Sequence, residues 1–317
     1  MGWVTKRGAG MFRFIVRRLI NIVISLVVLA SATFFLMKAV PGNPFLNEKN
    51  SQATIDAMMK YYGLDKPLWQ QYLTYMKNLF QGELGESLKT PGRFVTDIIS
   101  QSFGNSLKLG LVAVVVSVIV GVALGMIAAM YNRKLIDKIA VFVAILGISI
   151  PNFVVGSVMQ YLLGVKVTWF NVAGLAGPMD YVLPTIALSA LPIAFITRLT
   201  RSSMLEVLTA DYIRTAKAKG LSPMRIVLRH GLRNAILPVV TYLGPMSANV
   251  ITGSVVVEKI YAIAGLGKFF TDSIANRDYP LIMGITLFYA VILMVARFLA
   301  DIGYALVDPR MKKSKGG

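Results

Sequence analysis

The sequence predicts an all-α, polytopic membrane protein with six transmembrane helices. Hydrophobic residues make up 56% of its 317 residues and charged residues only 15%, whereas a soluble domain has about a quarter charged residues. The mean hydropathy is +0.64. Six apolar runs are long enough to cross or nearly cross a bilayer, because about 20 helical residues span about 30 Å of hydrocarbon.

The six runs are spaced along the whole chain, and the first is expected to be a retained helix. It is longer than the apolar core of a signal peptide, and it ends in Lys38-Ala39-Val40-Pro41 without a cleavage site of small residues. In chain order the runs cover residues 19–37, 109–130, 139–165, 182–199, 235–257 and 281–300.

Prolines interrupt the third, fourth and fifth runs, at Pro151, Pro184, Pro192, Pro238 and Pro245. A proline frees a helix carbonyl, which a membrane helix tolerates where neighbouring helices or a polar path satisfy it. These runs are therefore candidates to line a pathway, although ordinary packing kinks explain the prolines equally well. The candidate polar lining residues are Asn152, Gln160, Thr185, Ser189, Asn249 and Thr252.

Positive charge alternates along the chain in a way that predicts the orientation. The formal net charge is +18, and alternate segments outside the runs carry +5, +2, +6 and +2 while the intervening segments carry zero. This positive-inside pattern places both termini in the cytoplasm of a bacterial or archaeal cell. It also explains the excess charge without nucleic acid. The resulting division is a cytoplasmic N-terminus with the first helix (1–40), an extracytoplasmic segment (41–104), a five-helix transmembrane domain (105–307) and a cytoplasmic tail (308–317).

The basic segment after the fourth run, residues 198–233, is expected to contain two short helices joined at a glycine. Thr209 is the expected N-cap of the first, and Asp211 lies in its first turn, where a carboxylate complements the helix dipole. Gly220 suits the C′ position that ends it. Ser222 followed by Pro223 is typical of the N-cap and first position of the next helix.

The two expected helices have different surfaces. Ile213, Ala216 and Gly220 form a narrow face with two small residues, which permits close approach by a partner. An arginine stripe follows on the second helix, at Arg225, Arg229 and Arg233. Docking to another protein and lying on a membrane surface with the arginines at lipid phosphates both fit this pattern.

The sequence indicates no catalytic chemistry in this chain. It has no cysteine and one histidine, His230, which excludes a thiolate nucleophile and a multi-histidine metal site. Gly267-Lys268 lacks the other residues of a phosphate-binding loop, since Ala262 and Phe269 occupy the required glycine and hydroxyl positions. No Asp or Glu lies in the middle of a run, which argues against a proton-driven carrier but leaves an ion-driven transporter as the competing class.

Several motifs together resemble the ABC importer permeases of the oligopeptide, dipeptide and nickel branch, specifically the first-encoded of the two permeases. The resemblance extends over nearly the whole chain, and Arg214-Thr215 stands where other importers have Glu-Ala. The motifs are Arg17-Arg18, Val40-Pro41-Gly42-Asn43-Pro44, Gly63-Leu64-Asp65-Lys66-Pro67-Leu68, Gly82-Glu83-Leu84-Gly85, Ser149-Ile150-Pro151, Tyr212 to Leu221, His230 to Pro238, Gly265-Leu266-Gly267, Arg277-Asp278-Tyr279-Pro280 and Asp308-Pro309-Arg310.

This resemblance implies the type I importer fold and a transport function without catalysis. The implied partners are a homologous second permease, two cytoplasmic ATPases that bind ATP and magnesium, and an extracytoplasmic substrate-binding protein. No cofactor is expected in this chain. Peptides are the implied substrates, with nickel complexes, glutathione and other peptide-like solutes as alternatives. The implied ATPase-coupling residues are Asp211, Tyr212, Ile213, Arg214, Thr215, Ala216, Lys217, Lys219, Gly220, Arg225 and Arg229.

The extracytoplasmic segment is expected to contain an amphipathic helix that begins after Asp65-Lys66-Pro67 and ends at Gly82. Its aromatic residues fit either the membrane interface or a cap, residues 43–96, that receives the binding protein. A second short helix is expected within residues 265–279, with Phe269, Phe270 and Ile274 turned inward.

Overall fold

The computed structural model describes residues 2–45, 51–252 and 255–307, with side chains described for those between 15 and 299. Regular structure in these residues is helical, apart from one bridge of extended backbone between Glu86 and Phe94. The predicted tail, residues 308–317, with the Asp308-Pro309-Arg310 motif, lies outside the described residues. The α-helices are α1 (Gly2–Ala39), α2 (Gln52–Tyr61), α3 (Leu68–Phe80), α4 (Val95–Met130), α5 (Leu135–Ser149), α6 (Asn152–Met159), α7 (Val182–Leu208), α8 (Asp211–Ala218), α9 (Pro223–Arg225), α10 (Leu232–Ala235), α11 (Leu237–Thr252), α12 (Val255–Ile260), α13 (Leu266–Asn276) and α14 (Tyr279–Val307).

Five candidate membrane spans are single helices or nearly continuous helix pairs, and a bent pair supplies a sixth when it is counted as one span. The all-α membrane architecture is therefore confirmed in the described residues, with five candidate spans, or six when the bent pair is one span. The five are Ile15–Ala39, Val95–Met130, Pro178–Leu208, Leu237–Ile260 and Tyr279–Leu299.

The third predicted run is not one straight helix. Leu135–Ser149 and Asn152–Lys166 meet at an angle of 101°. Pro151 lies at the break as the N-cap of α6, because a proline has no N–H to continue the ladder of α5. Residues Gln160–Lys166 then continue α6 as a wider π-helix. By contrast, Pro192 and Pro245 lie inside α7 and α11 without ending them.

One compact unit comprises the described residues within 104–268 together with those from residue 295 to residue 307. Its core lies between α4, α7, α11 and α12, with Leu109, Leu183, Ile196, Met246 and Tyr261 buried. Small residues let the helices approach closely here, as the glycines of α4 do against α7. Helix α7 is central because α5, α6, α11 and α12 all pack on it.

The other unit comprises the first 103 residues and residues 269–294. Here α3 packs on α1: the Tyr72 hydroxyl lies 2.7 Å from that of Ser31, and the Tyr75 ring stacks on Phe34. The predicted amphipathic helix is confirmed, but Trp69 and Phe80 are 62% and 72% exposed. These two aromatics do not contribute to the buried face.

Glycine ends α3 as expected. Gly82 has a φ of +81°, and its N–H donates to the carbonyl of Leu79 at 3.0 Å. The N–H of Glu83 donates to the carbonyl of Asn78 at 2.9 Å. This pair of bonds is a Schellman motif, in which the left-handed residue is normally glycine.

Candidate functional site

The basic segment predicted for residues 198–233 begins inside α7, which extends to Leu208, and its short helices follow directly after α7. Thr209 was expected to cap the following helix, but it ends α7 instead: its N–H and hydroxyl both donate to the carbonyl of Glu206, at 3.2 and 2.7 Å. The N-cap of α8 is Ala210, which has no side-chain oxygen that could accept a hydrogen bond from an N–H of the first turn. The Thr209 prediction was therefore wrong by one residue. Only Thr209 and Ala210 separate α7 from Asp211, the first residue of α8, where the sequence placed it.

The narrow face of α8 is covered by the chain itself. Ile213 is fully buried and Ala216 is 6% exposed, and both pack with Ile226, flanked by Leu208 and Leu221. This corrects the expectation that a partner protein contacts Ile213 and Ala216 directly. Such contact would require the cluster to open and expose apolar surface to water.

Gly220 ends α8 in the left-handed conformation, with a φ of +73°. Its N–H donates to the carbonyl of Lys217 at 3.0 Å, and the N–H of Leu221 donates to that of Ala216 at 3.3 Å. The Schellman motif brings Leu221 back onto the apolar cluster. The predicted C′ position of Gly220 is therefore confirmed, and its role is to turn the chain rather than to make room, because nothing lies within 4 Å of a Cβ built there.

A second helical segment follows, as predicted, but its helix type changes twice, from α to π and back to α. Ser222 is the N-cap of α9 without a side-chain hydrogen bond, and Pro223 opens the helix. Residues Ile226–Gly231 form a π-helix that joins α9 to α10. The amide of Asn234 donates to the hydroxyl of Tyr212 at 2.9 Å and so ties the second segment to α8.

The polar residues of the segment remain exposed while its apolar residues anchor it. Arg214 and Asp211 form an exposed pair at 3.6 Å, an arrangement that contributes little to stability. The surface is strongly basic and available to an acidic or polar partner. We call it the basic surface; its exposed members are Asp211, Tyr212, Arg214, Thr215, Lys217, Lys219, Arg225, Arg229 and Arg233.

An ion pair at the end of α7 nearest this segment was not predicted. Arg201 donates from Nε to Asp137 Oδ1 at 2.6 Å and from Nη2 to Asp137 Oδ2 at 2.8 Å. The backbone N–H of Arg133 donates to the same carboxylate at 2.8 Å. The pair ties α7 to the first turn of α5. The only sequence signal was that Asp137 is the single acidic residue in a basic loop.

The six candidate lining residues do not share one exposed surface. Thr185 and Ser189 are buried on α7, and the Ser189 hydroxyl donates to the carbonyl of Ala113 on α4 at 3.2 Å. Gln160 donates to the carbonyls of Val172 and Ile260, at 2.6 and 2.8 Å.

The other lining candidates are more accessible. The Thr252 hydroxyl donates to the carbonyl of Ala248 in its own helix at 2.7 Å. Asn152 is half-buried at the start of α6, and Asn249 is exposed. A pathway lined by all six would therefore require α4 and α7 to separate.

The Gly265-Leu266-Gly267 motif lies where three side chains hold the start of α13. The N–H of Gly267 donates to Glu258 Oε2 at 2.7 Å, and the N–H of Leu266 donates to the Ser106 hydroxyl at 2.9 Å. The amide of Asn105 donates to the carbonyl of Ala264 at 3.0 Å. A Cβ on Gly265 would lie 2.6 Å from the Ser106 hydroxyl oxygen, so the motif requires glycine there.

The Arg277-Asp278-Tyr279-Pro280 motif starts α14 and holds the loop that precedes α4. The buried Asp278 carboxylate accepts from the Ser87 hydroxyl at 2.5 Å and from the backbone N–H of Leu88 at 3.1 Å. In α13, Ile274 is 52% exposed, so the expectation that it turns inward was wrong. Ser273 is buried on that helix instead.

The fold is that of the membrane-spanning subunits of ABC importers. The structure aligns with an inward-facing MetNI methionine ABC transporter at a TM-score of 0.54 and 17% identity, covering 67% of this chain and 96% of that chain. It aligns with the crystal structure of an amino acid ABC transporter with histidines at a TM-score of 0.52 and 18% identity, covering 66% and 94%.

The chain belongs to the family described as the binding-protein-dependent transport system inner membrane component, which matches residues 121–313. Residues 11–122 match the N-terminal part of such membrane components. The resemblance carried by the sequence motifs is confirmed.

Similar curated proteins span this chain almost end to end. The dipeptide transport system permease protein DppB of Bacillus subtilis (strain 168) is 46% identical over 97% of this chain and 100% of its own length. DppB of Lactococcus lactis subsp. cremoris (strain MG1363) is 41% identical over 95% and 100%. The oligopeptide transport system permease protein OppB of Escherichia coli (strain K12) is 38% identical over 95% and 100%.

Proposed function

We propose that this chain is one of two homologous permease subunits of an ATP-driven importer of dipeptides or oligopeptides. The anchored loop carries this proposal: α8 is fixed to its own chain by Ile213 and Ala216 and exposes its charged residues. The near end-to-end similarity to peptide permeases supports the substrate class. The alternation of charge supports a cytoplasmic position for this loop and for both termini.

ATP hydrolysis belongs, in this proposal, to two cytoplasmic ATPase subunits that bind ATP and magnesium. They would contact the basic surface, and an extracytoplasmic binding protein would deliver substrate to the cap formed by residues 43–96. This chain contributes half of the pathway and no catalytic group. Purified alone, it is therefore expected to hydrolyse no ATP, and robust hydrolysis by the isolated chain would contradict the proposal.

The packing provides a route for coupling the basic surface to the membrane helices. A force on α8 is transmitted to α7 because only two residues separate them and Leu208 of α7 packs on the buried face of α8. The Arg201–Asp137 pair then links α7 to α5. The loop therefore acts in this proposal as a rigid lever rather than as a flexible tether.

Replacing Gly220 with valine is expected to reduce ATP-driven peptide uptake about tenfold while leaving membrane insertion intact. A β-branched residue at positive φ costs roughly 1–2 kcal/mol, which corresponds to about a factor of ten in an equilibrium. The strain would be relieved by loss of the turn that joins α8 to α9. The measurement is peptide uptake and ATP hydrolysis by the full transporter reconstituted in proteoliposomes.

Gly220→Asn is the matched control, because asparagine adopts the left-handed conformation more readily. It should retain most of the uptake that the valine variant loses. Equal uptake by Gly220→Val and the unmodified transporter would rule out a requirement for this turn in coupling.

The proposed topology predicts that Gln81→Cys and Ser222→Cys are labelled from opposite sides of the membrane. Both residues are exposed, and the chain has no native cysteine to confuse the result. An impermeant maleimide added to intact cells or spheroplasts should label the cysteine at position 81 only. Labelling of both without permeabilisation would overturn the topology.

Two alternatives are separated by the same reconstituted system. An ion-driven transporter would accumulate solute from an ion gradient without ATP, whereas the proposed importer requires ATP. Nickel complexes, glutathione or other peptide-like solutes would compete with labelled peptide if they were the preferred substrates.

A further inference from the structure

A cavity of about 360 Å³ lies within the unit formed by the first 103 residues and residues 269–294. It is bounded by the last turns of α1, the end of α2 with the loop 62–66, one face of α3, the loop 83–88 and the first turns of α14. Pockets of about 300–1,000 Å³ with apolar walls and a few polar groups are typical of small-ligand sites. The cavity is at the small end of that range, which suits a ligand of two or three residues.

Lys38 contributes a positive charge that no carboxylate in the described part of the chain neutralises. Its Nζ lies 5.9 Å from the ring centroid of Phe34 and 5.8 Å from that of Tyr279. Cation–π contacts of this kind compensate only part of the cost of removing an ammonium from water. A half-buried ammonium on aromatic rings is therefore a position at which an anionic group would bind favourably.

Glu83 contributes the opposite charge from a different element of the wall. It follows Gly82 at the end of α3, and its carboxylate makes no hydrogen bond or ion pair with any described residue. Glu86 also faces the cavity but already accepts a hydrogen bond from the N–H of Gly92. Lys60 and Lys66 also line the cavity. Among its cations, Lys38 is the one held against two aromatic rings, and Glu83 is the carboxylate without a hydrogen bond in the described residues.

The wall of the cavity also combines aromatic rings with buried polar atoms that have no hydrogen-bond partner in the described residues. The hydroxyl of Tyr75 and Oε1 of Gln71 are buried without a hydrogen bond in the described residues. Burial raises the pKa of Tyr75 to about 12, so its hydroxyl stays protonated and can donate. Buried polar groups without partners are uncommon in folded proteins, and small movements of these two side chains would let them bind a polar ligand backbone.

We propose that this cavity binds a short peptide whose two termini are both free. The C-terminal carboxylate pairs with Lys38, the N-terminal ammonium pairs with Glu83, and an apolar side chain packs against the rings of Phe34 and Tyr279. The inference rests on the proposed peptide-import function and adds to it a substrate site in the proposed outer cap. A phospholipid phosphate would also satisfy Lys38, but the small volume of the cavity and the carboxylate of Glu83 favour a small zwitterion.

The test is binding of alanyl-phenylalanine to the purified full-length chain in phosphatidylcholine nanodiscs, with its C-terminal amide and its N-acetyl derivative as probes. Removing one charge-assisted contact is expected to weaken binding about tenfold. Lys38→Met should therefore weaken binding of the free dipeptide about tenfold but leave binding of the amide unchanged. Glu83→Gln should weaken binding of the free dipeptide about tenfold but leave binding of the N-acetyl derivative unchanged. Such non-additivity identifies groups in direct contact.

Lys77→Met is the matched control, because Lys77 lies on α3 outside the cavity. It should bind all three probes like the unmodified chain. Glu83 is exposed in a loop, so Glu83→Gln keeps the test valid even if Lys38→Met folds poorly.

Additive losses, equal binding by all variants, or no saturable binding of the dipeptide would overturn the site. Binding of phosphatidylglycerol that added dipeptide does not displace would overturn the site in favour of a lipid. The fully reconstituted importer separates this outcome from the function itself. Peptide uptake that continues unchanged in Lys38→Met leaves the proposed function standing and removes the site, whereas absence of peptide uptake by the unmodified importer removes the function.

Discussion

Arg201→Met is expected to destabilise the protein by about 3 kcal/mol, because it leaves the Asp137 carboxylate buried without its cationic partner. Removing one member of a buried ion pair costs about 3–5 kcal/mol. The lower end applies here for two reasons. The Arg201 side chain is 27% exposed while that of Asp137 is 5% exposed, and Asp137 keeps the hydrogen bond from the N–H of Arg133.

The measurement is the melting temperature of the purified chain in detergent, followed by fluorescence-detected size exclusion. Arg198→Met is the matched control, because Arg198 is an exposed arginine in the same helix and its loss should change the melting temperature little. Arg201→Lys should be intermediate, since lysine keeps the charge but lacks the planar fork that makes two parallel bonds. Equal melting temperatures for Arg201→Met and Arg198→Met would show that the pair contributes nothing.

A double variant separates the pair from the packing around it. Replacing Arg201 with methionine and Asp137 with leucine removes both charges, and well-packed apolar replacements for a buried pair are often neutral or stabilising. We therefore expect the double variant to be more stable than Arg201→Met alone. A further loss of stability would instead indicate that Asp137 acts mainly through the N–H of Arg133.

The spans and the turn at Gly220 could be predicted from the sequence because the forces that specify them are local. Membrane spans follow from hydropathy over about 20 residues, and a left-handed glycine at a helix end follows from its lack of a Cβ. The ends of helices were less predictable. The predicted N-cap of α8, Thr209, comes one position before the observed N-cap, Ala210. The N–H of Thr209 donates to the preceding helix, so this residue ends α7 and does not begin α8.

The partners of charged and apolar groups across the chain could not be predicted. Arg201 and Asp137 are 64 positions apart, and nothing in either local pattern indicates that they meet. Of the predicted face of α8, Ile213 and Ala216 do pack, whereas Gly220 does not. Periodicity also does not distinguish burial by the same chain from burial by a partner. Nor does the sequence pattern indicate that Glu258 accepts a hydrogen bond from the N–H of Gly267, because this bond depends on how the loop between them folds back.

The glycines of α4 illustrate the same limit. Gly121 and Gly125 form a G-x-x-x-G pattern in an apolar helix, which often marks an association face between separate membrane helices. In the structure this face packs against α7 of the same chain. A Cβ on Gly121 would lie 2.7 Å from Cβ of Ile196.

Gly125→Ala is expected to destabilise the chain by about 1–2 kcal/mol, although the same change normally stabilises a helix. Alanine is favoured over glycine in a helix interior by about 1 kcal/mol. At position 125 the new Cβ would lie 2.5 Å from Cβ of Thr200 and 2.7 Å from the carbonyl oxygen of Thr197. Neither atom is the end of a flexible side chain, so α4 and α7 must move apart. Overpacking of this kind typically costs about 1–3 kcal/mol, and these short contacts place the cost at the upper end, so that it exceeds the gain of about 1 kcal/mol in helix preference.

Gly104→Ala, in the same helix, is expected to have the opposite effect on stability. Nothing lies within 4 Å of a Cβ at position 104, so this variant should melt at the same or a higher temperature than the unmodified chain. Each variant adds one methyl group to α4, at a different position, and both are measured side by side in detergent. A melting temperature for Gly125→Ala as high as that for Gly104→Ala would contradict the close α4–α7 contact. The predicted reversal of sign would instead show that contact with α7, and not helix preference, requires glycine at position 125.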